Sequence, residues 1–154
     1  KIIQEKTASL FSSCCMMGAI SSKATEEKIK KMHQFGLLVG KAFQIRDDLF
    51  SYLSFDTGKP SLNDFKQAKI TLPLIHTLSK VDTSTKRKII KNLKKYRAID
   101  EIIEIVKEND GIKYSEKKMI QMIDEAYSIL KKFPDSEYKK SLISLLNYII
   151  KRNI

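Results

Sequence analysis

At residues 35–52 the chain reads FGLLVGKAFQIRDDLFSY, and this stretch decides the fold. Its apolar residues recur at helical rather than alternating spacing, so the stretch predicts an α-helix. Steps of three and four residues place a set of small or polar residues on one face of that helix. This face carries Gly36, Gly40, Gln44, Asp47, Asp48 and Ser51. The other side mainly carries Phe35, Leu38, Val39, Ala42, Ile45 and Leu49. Because lysine is nearly absent from the polar face, that face is not ordinary solvent-exposed helix surface.

Asp47 and Asp48 are adjacent carboxylates near the end of this helix. They repel each other, and limited access to solvent makes that repulsion costlier. A magnesium ion removes this cost, because it prefers oxygen ligands and binds one or two protein carboxylates together with substrate phosphates. The pair therefore fits a site that holds a diphosphate through magnesium. Taken alone, the pair is more typical of an exposed Asp-Asp in the last turns of a helix.

Three lysines lie in short motifs on either side of the carboxylates: Lys6, Lys59 and Lys69. Lysine ammonium groups act as point charges toward phosphate oxygens. Arranged around the carboxylate pair, these lysines would complete a pocket for an anion and a metal. Considered singly, each is typical of the surface of a chain with so many lysines.

Helical periodicity continues along the chain and no convincing alternating strand occurs, so we predict a single all-α unit. Glycine and proline number only 5 and 3, so residues that break helices are scarce. We predict a loop over 56–69. Helices are predicted over about 1–20, 24–54, from 71 onward, 85–96, 99–109, 115–132 and 136–151.

The 154 residues are 42% hydrophobic and 31% charged, a balance typical of a soluble globular domain. No apolar run approaches the ~20 residues that cross a bilayer, and no secretory leader is recognisable, so we expect a cytoplasmic protein without stable membrane insertion. The chain starts without methionine and inside a predicted helix, which indicates a fragment. Cys14 and Cys15 are expected to be small buried thiols without a disulfide between them, and Met16 and Met17 to pack in the core.

The formal net charge of +11 invites a nucleic-acid-binding interpretation. The basic residues are mostly lysine, however, and no recognised binding motif accompanies them. We therefore expect a solvated lysine-rich surface, including the KRK at 86–88 and the KK at 94–95, and no nucleic-acid partner.

The first half of the chain contains a series of short motifs. They are KTA at 6–8 with LF at 10–11, GA at 18–19, FQIRDD at 43–48, GKP at 58–60 with Asp64, and Lys69 followed by TLP at 71–73. Together they resemble the trans-type isoprenyl (polyprenyl) diphosphate synthase family. Their order and gaps fit the second half of that family, and the resemblance covers roughly residues 1–80.

The resemblance implies an incomplete helical bundle of the isoprenoid synthase type, with residues 1–154 forming the carboxy-terminal half of one polyprenyl synthase domain. It also implies a reaction. An allylic diphosphate ionises with the help of magnesium, isopentenyl diphosphate attacks the allylic carbocation, and proton loss leaves a linear chain longer by one isoprene unit. A homodimer is implied by the resemblance alone.

Matched residue by residue, the resemblance gives roles to the charged residues. Asp47 is expected to ligate magnesium directly, and Asp48 directly or through water. Lys6, Lys59 and Lys69 are expected to contact the allylic diphosphate.

The resemblance also assigns Thr7 and Gln44 to the region of the carbocation, where an oxygen atom can stabilise positive charge. Ser51 departs from the family pattern, which has a third aspartate there, and Leu62 and Ala68 stand where glycine is common. The first aspartate-rich motif is missing altogether. We therefore expect this chain alone to be inactive. The alternatives are a non-catalytic prenyltransferase-like interaction subunit and, motivated only by charge, a basic helical nucleic-acid-binding protein.

Overall fold

The structure is a computed structural model that describes residues 3–53 and 63–152. Within these ranges all regular structure is helical, which confirms the predicted all-α class. None of the described helices is long and apolar enough to cross a membrane. A π-helical turn (Gln4–Ala8) leads directly into the first of the α-helices. These are α1 (Ser9–Ser21), α2 (Glu26–Leu53), α3 (Asn63–Lys66), α4 (Leu72–Lys80), α5 (Thr83–Lys94), α6 (Ile99–Glu108), α7 (Gly111–Leu130) and α8 (Glu137–Lys151).

Side-chain caps fix the starts of two helices. Asp82 accepts hydrogen bonds from the backbone N–H groups of Ser84 (2.8 Å) and Thr85 (3.1 Å), so α5 starts two residues earlier than predicted. The hydrogen bond from the Thr85 hydroxyl, together with these backbone bonds, lowers the pKa of Asp82. Ser136 likewise accepts from the Lys139 N–H at 3.1 Å, which fixes the start of α8 where the sequence predicts it.

The predicted start of α7 at Ser115 is wrong by four residues, because Gly111 is the first residue of the helix rather than the end of the preceding turn. Asp110 takes the left-handed conformation between α6 and α7, with φ of 59°. Gly111 is required for packing instead: a Cβ there would lie 2.6 Å from the Pro73 carbonyl oxygen. Glycine thus marks a close contact with α4 rather than a turn.

Of the predicted loop over 56–69, the structure describes residues 63–69, and these include a short helix, α3, that the sequence pattern did not indicate. Phe65 on this helix is 2% exposed, so it is anchored by burial. A helix of four residues is too short for its periodicity to be recognised.

The described residues form two compact units, one within 1–46 and 118–153 and the other within 47–117. Helices α2 and α7 each contribute to both. The second unit has one continuous hydrophobic core. Its buried members are Tyr52, Phe65, Leu74, Leu78, Ile89, Leu93, Ile99, Ile102, Ile103 and Val106.

In the first unit, two glycines bring α2 into close contact with the preceding helical segment. A Cβ on Gly36 would lie 2.6 Å from the Phe11 carbonyl oxygen, and one on Gly40 would lie 2.6 Å from the Cα of Ala8. The glycine half of the predicted polar face is therefore a helix-packing surface.

The predicted burial of the α1 side chains is wrong in part. Cys14 is exposed, Cys15 is half-buried and Met17 is 56% exposed. Helix α1 buries only Ser12 and Ala19, so the face with Cys14 and Met17 lies on the surface. Partial burial and the neighbouring Cys14 raise the pKa of the Cys15 thiol.

Candidate functional site

The two residues predicted to line the carbocation region are hydrogen-bonded to each other in the first unit. The Thr7 hydroxyl donates to the side-chain carbonyl Oε1 of Gln44 at 2.6 Å. Gln44 is 8% exposed and Thr7 is half-buried, so this contact is shielded from most of the solvent. Thirty-seven residues separate the two in sequence, and the close approach of Gly40 to Ala8 brings their segments together.

Lys6 and Thr7 belong to the π-helical turn, a form of backbone found frequently at functional sites. The turn ends at Ala8, which is fully buried. Lys6 is exposed, so its ammonium group can reach an anionic ligand from solvent.

Arg46, in the middle of the FQIRDD motif, has a structural role that the sequence did not reveal. Its Nε and Nη2 donate to the backbone carbonyl of Arg152 at 3.0 and 2.6 Å. The Arg152 guanidinium in turn lies 5.3 Å from the centroid of the Phe43 ring, a cation–π contact. Arg46 therefore anchors the residue that follows α8 to α2.

The two predicted metal ligands lie in different environments on α2, in the second unit. Asp47 is exposed, whereas Asp48 is only 8% exposed. Ser51, which stands where the resembling family has a third aspartate, is 4% exposed. The predicted carboxylate face is therefore largely buried, with one acid open to solvent.

Asp64 connects Ser51 to Lys69 within the second unit. The Ser51 hydroxyl donates to Oδ2 of Asp64 at 3.1 Å, and the Lys69 ammonium donates to Oδ1 at 2.7 Å. The Lys69 side chain is 38% exposed and that of Asp64 19%. The ion pair directs the ammonium group of Lys69 toward Asp64, while part of the lysine side chain remains exposed.

Tyr52 fixes the end of α2 against the start of α4. Its hydroxyl forms a hydrogen bond of 2.7 Å with the hydroxyl of Thr71, and its ring meets that of Phe65 edge-on at 5.1 Å. Burial raises the pKa of Tyr52 well above its usual value, and the nearby carboxylates of Asp48 and Asp64 raise it further. Tyr52 is thus a neutral structural group beside the acidic residues.

The adjacent carboxylates of Asp47 and Asp48 fit a magnesium ion that is shared with a ligand. No cluster of three or more His, Cys, Asp or Glu side chains able to hold a metal occurs among the described residues. Magnesium keeps several waters and takes one or two protein carboxylates plus substrate phosphates. The neighbouring Asp47 and Asp48 supply that number of protein ligands.

The predicted site residues therefore fall into both units. Thr7 and Gln44 are in direct contact, and Lys6 is next to Thr7 in the π-helical turn. In the second unit Lys69 is held by Asp64, whose importance the sequence indicated only as part of a motif. Lys59 lies outside the described residues.

Comparison with known proteins gives a consistent result. The sequence model of the polyprenyl synthetase family matches residues 1–109. Heptaprenyl diphosphate synthase component 2 of Bacillus subtilis is 32% identical over 152 residues, which cover 97% of this chain and 44% of the relative. Octaprenyl diphosphate synthase of Haemophilus influenzae is 33% identical over an alignment of 159 positions, which covers 99% of this chain and 48% of the relative.

Comparison with solved structures also finds prenyl diphosphate synthases. The geranylgeranyl pyrophosphate synthase of Bacteroides thetaiotaomicron matches with a TM-score of 0.88 and 34% identity over 98% of this chain and 52% of that one. The corresponding synthetase of Pyrococcus horikoshii matches with a TM-score of 0.87 and 30% identity over 99% of this chain and 48% of that one. The predicted isoprenoid synthase fold is confirmed. The chain spans about half the length of the relatives it matches.

Proposed function

This chain belongs to the polyprenyl synthetase family, and we propose that it is the carboxy-terminal half of one trans-prenyltransferase domain, spanning residues 1–154. The reaction is the condensation of an allylic diphosphate with isopentenyl diphosphate to give a linear polyprenyl diphosphate. The chain contributes the second aspartate-rich site of that enzyme. The rest of the enzyme supplies the first aspartate-rich motif and the isopentenyl diphosphate site.

The observation that carries the proposal is the hydrogen bond between Thr7 and Gln44. Because the side-chain carbonyl oxygen of Gln44 accepts a hydrogen bond from Thr7, the amide group of Gln44 is held in one orientation. The direction of the amide dipole is therefore fixed. Preorganised dipoles stabilise a developing charge without reorganising during the reaction. We assign to these two oxygens the stabilisation of the allylic carbocation.

Asp47 and Asp48 are the proposed magnesium ligands. When bound, the metal neutralises the leaving diphosphate and so assists cleavage of the allylic C–O bond. The exposed carboxylate of Asp47 is the direct ligand, and Asp48 binds directly or through water. Asp48 is only 8% exposed, so its negative charge beside that of Asp47 is costly unless a cation is bound.

Lys6, Lys59 and Lys69 are the proposed contacts of the allylic diphosphate. The ion pair with Asp64 supports this role for Lys69, because it positions the ammonium group before any ligand arrives. A preorganised cation loses less conformational freedom on binding than a freely rotating one. Ser51 supports the same arrangement by donating to the other oxygen of Asp64.

The proposal extends to the form of the enzyme. We propose a cytoplasmic homodimer of the complete domain, in line with the resemblance. Since the chain spans only about half the length of its relatives, we propose that it has no prenyl transfer activity by itself.

Titration calorimetry of the chain with inorganic diphosphate, with and without magnesium, tests the proposed site. Binding that needs magnesium, disappears in Asp47→Asn and persists in Asp124→Asn would support it. Asp124 is an exposed aspartate on α7 and serves as the matched control. Equal loss in both variants, or binding that ignores magnesium, would contradict the assignment of the metal ligands.

One observation favours a second candidate, a non-catalytic prenyltransferase-like subunit that supports a partner. Ser51 replaces the third aspartate of the motif and is bonded to Asp64, so the second site has fewer carboxylates than the family pattern. Diphosphate binding that never requires magnesium, together with a stable complex with a complete synthase, would favour this candidate.

A further inference from the structure

Helix α5 and the turn that follows it carry a concentrated positive charge. Residues 82–98 contain seven basic residues and one acid, Asp82, a net charge of +6 out of the +11 of the whole chain. One of the seven, Lys88, pairs with Glu101 on α6. The other six are exposed, and none has an acidic partner in the part of the chain that the structure describes. We call these six residues the α5 basic patch: Lys86, Arg87, Lys91, Lys94, Lys95 and Arg97.

The patch lies on the outward side of an amphipathic helix. Ile89 and Leu93 are 1% and 2% exposed and attach α5 to the core of the second unit. Arg87, Lys91 and Lys94 follow one another at steps of four and three residues, so they share one face of the helix. The acid at the start of α5 cannot neutralise them, because Asp82 is engaged in capping.

A lysine-rich composition alone does not explain this concentration. The next helix, α6, carries four carboxylates and one lysine, a net charge of −3. The chain therefore separates its charges between neighbouring helices. Lys94 and Lys95 lie at the end of α5, where the helix dipole favours cations, but Arg87 lies in its first half, so the dipole does not account for the whole patch.

We propose that the α5 basic patch binds the anionic surface of a lipid bilayer. Clusters of four to eight lysine or arginine residues on an amphipathic helix are typical of binding to acidic headgroups. The patch is mainly lysine, whose compact charge suits diffuse attraction to a charged plane rather than bidentate recognition. Tyr96, 39% exposed and flanked by Lys95 and Arg97, adds an aromatic side chain of the kind found at the membrane interface.

The choice of a bilayer over a nucleic acid rests on the proposed function, because the polyprenyl chain of the product is apolar and partitions into lipid. The patch itself does not depend on that function. Vesicle binding is measured without turnover, so an inactive chain still gives a result. Failure of the proposed reaction and failure of this inference are thus seen in different assays.

The test is co-sedimentation of the 154-residue chain with vesicles of phosphatidylcholine alone or with roughly one-third phosphatidylserine. We expect binding only to the anionic vesicles. Raising the salt from about 0.1 M to about 1 M shortens the screening length from about 10 Å to about 3 Å and should release the protein. Equal binding to both kinds of vesicle, or no binding to either, would overturn the proposal.

Two triple variants with the same change in net charge separate the patch from general basicity. Arg87→Gln/Lys91→Gln/Lys94→Gln removes three charges from the patch, and we expect binding to weaken by about 100-fold, roughly fivefold per residue. Lys28→Gln/Lys117→Gln/Lys151→Gln removes three exposed charges from α2, α7 and α8, and should weaken binding far less. Equal losses in the two variants would refute a localised surface. Tighter binding to RNA or duplex DNA than to anionic vesicles, abolished by the patch variant, would identify a nucleic-acid surface and overturn the proposal.

Discussion

The ammonium nitrogen of Lys69 lies 2.7 Å from a carboxylate oxygen of Asp64. Both side chains retain some contact with solvent, so their attraction is screened and its contribution to stability is small. We expect a double-mutant cycle of Asp64→Asn and Lys69→Gln, followed by urea unfolding, to give a coupling energy of about 0.5–1 kcal/mol. Diphosphate affinity should fall more in Lys69→Gln than in Asp64→Asn. The reverse order would show that Lys69 serves the fold rather than the ligand.

Gly40 is the glycine whose replacement should disturb the proposed site most. Gly40→Ala places a Cβ 2.6 Å from the Cα of Ala8, a backbone atom that cannot move aside cheaply. We expect a loss of about 1–3 kcal/mol in the free energy of unfolding, together with weaker contact between Thr7 and Gln44.

Gly18 is the matched control, because a Cβ at this position on α1 meets no atom within 4 Å. Gly18→Ala should therefore raise the free energy of unfolding by about 0.5–1 kcal/mol through helix propensity. Destabilisation by both substitutions, measured by urea unfolding, would contradict the packing that the structure assigns to Gly40.

Tyr52 should report on the buried hydroxyl pair. Tyr52→Phe leaves the Thr71 hydroxyl without this partner in a buried position, which should cost about 1–3 kcal/mol of unfolding free energy. Tyr138→Phe, at a tyrosine that is 85% exposed, should leave stability unchanged. Similar effects of the two substitutions would argue against the hydrogen bond.

The raised pKa of Tyr52 also predicts a dependence of stability on pH. The unfolded chain ionises its tyrosines near pH 10, while burial keeps Tyr52 protonated in the folded protein. The contribution of protonated Tyr52 to the free energy of unfolding is therefore complete below about pH 10. It is lost as the pH rises from there toward the pKa of Tyr52 in the folded protein. Between about pH 9.5 and 11, the wild-type chain should lose stability more steeply than Tyr52→Phe. Parallel curves would show that Tyr52 ionises freely in the folded state.

Activity tests address the proposed enzyme. The purified 154-residue chain, supplied with an allylic diphosphate, isopentenyl diphosphate and magnesium, should show no prenyl transfer.

In the complete enzyme, Asp47→Ala should lower turnover by orders of magnitude, because a metal ligand to the leaving diphosphate is lost. Turnover by the isolated chain would sink the first expectation, and a near-normal rate in the variant would refute the role of Asp47.

Sequence reasoning predicted those features whose cause is local or periodic. The amphipathic pattern predicted α2 to within two residues. The motif resemblance assigned Thr7 and Gln44 to one region but did not predict the hydrogen bond between them. Sequence reasoning placed Gly111 in a turn, because a glycine required by a turn and one required by close packing look alike in sequence. The predicted burial of Cys14 was wrong for another reason: which face of α1 packs depends on neighbours distant in the chain.

The site shows the same division. Residue types predicted the carboxylate pair and the lysines. They could not predict that Arg46 binds a backbone carbonyl 106 residues away, because that contact depends on the path of α8. The hydrogen bond between Ser51 and Asp64 could not be predicted either, because it joins two helices, α2 and α3, and so depends on how they pack.

The anchoring of Arg152 by Arg46 has a consequence for the order in which the chain folds during synthesis. The unit within 47–117 is continuous in sequence, so it can fold as soon as it leaves the ribosome. The other unit combines residues 1–46 with residues 118–153, and its core includes Leu146 and Ile149 of α8. Helix α1 and the first part of α2 must therefore wait for α8 before they are fully buried. Proteolysis of stalled nascent chains should find them sensitive until residue 152 has emerged, and earlier protection would contradict this order.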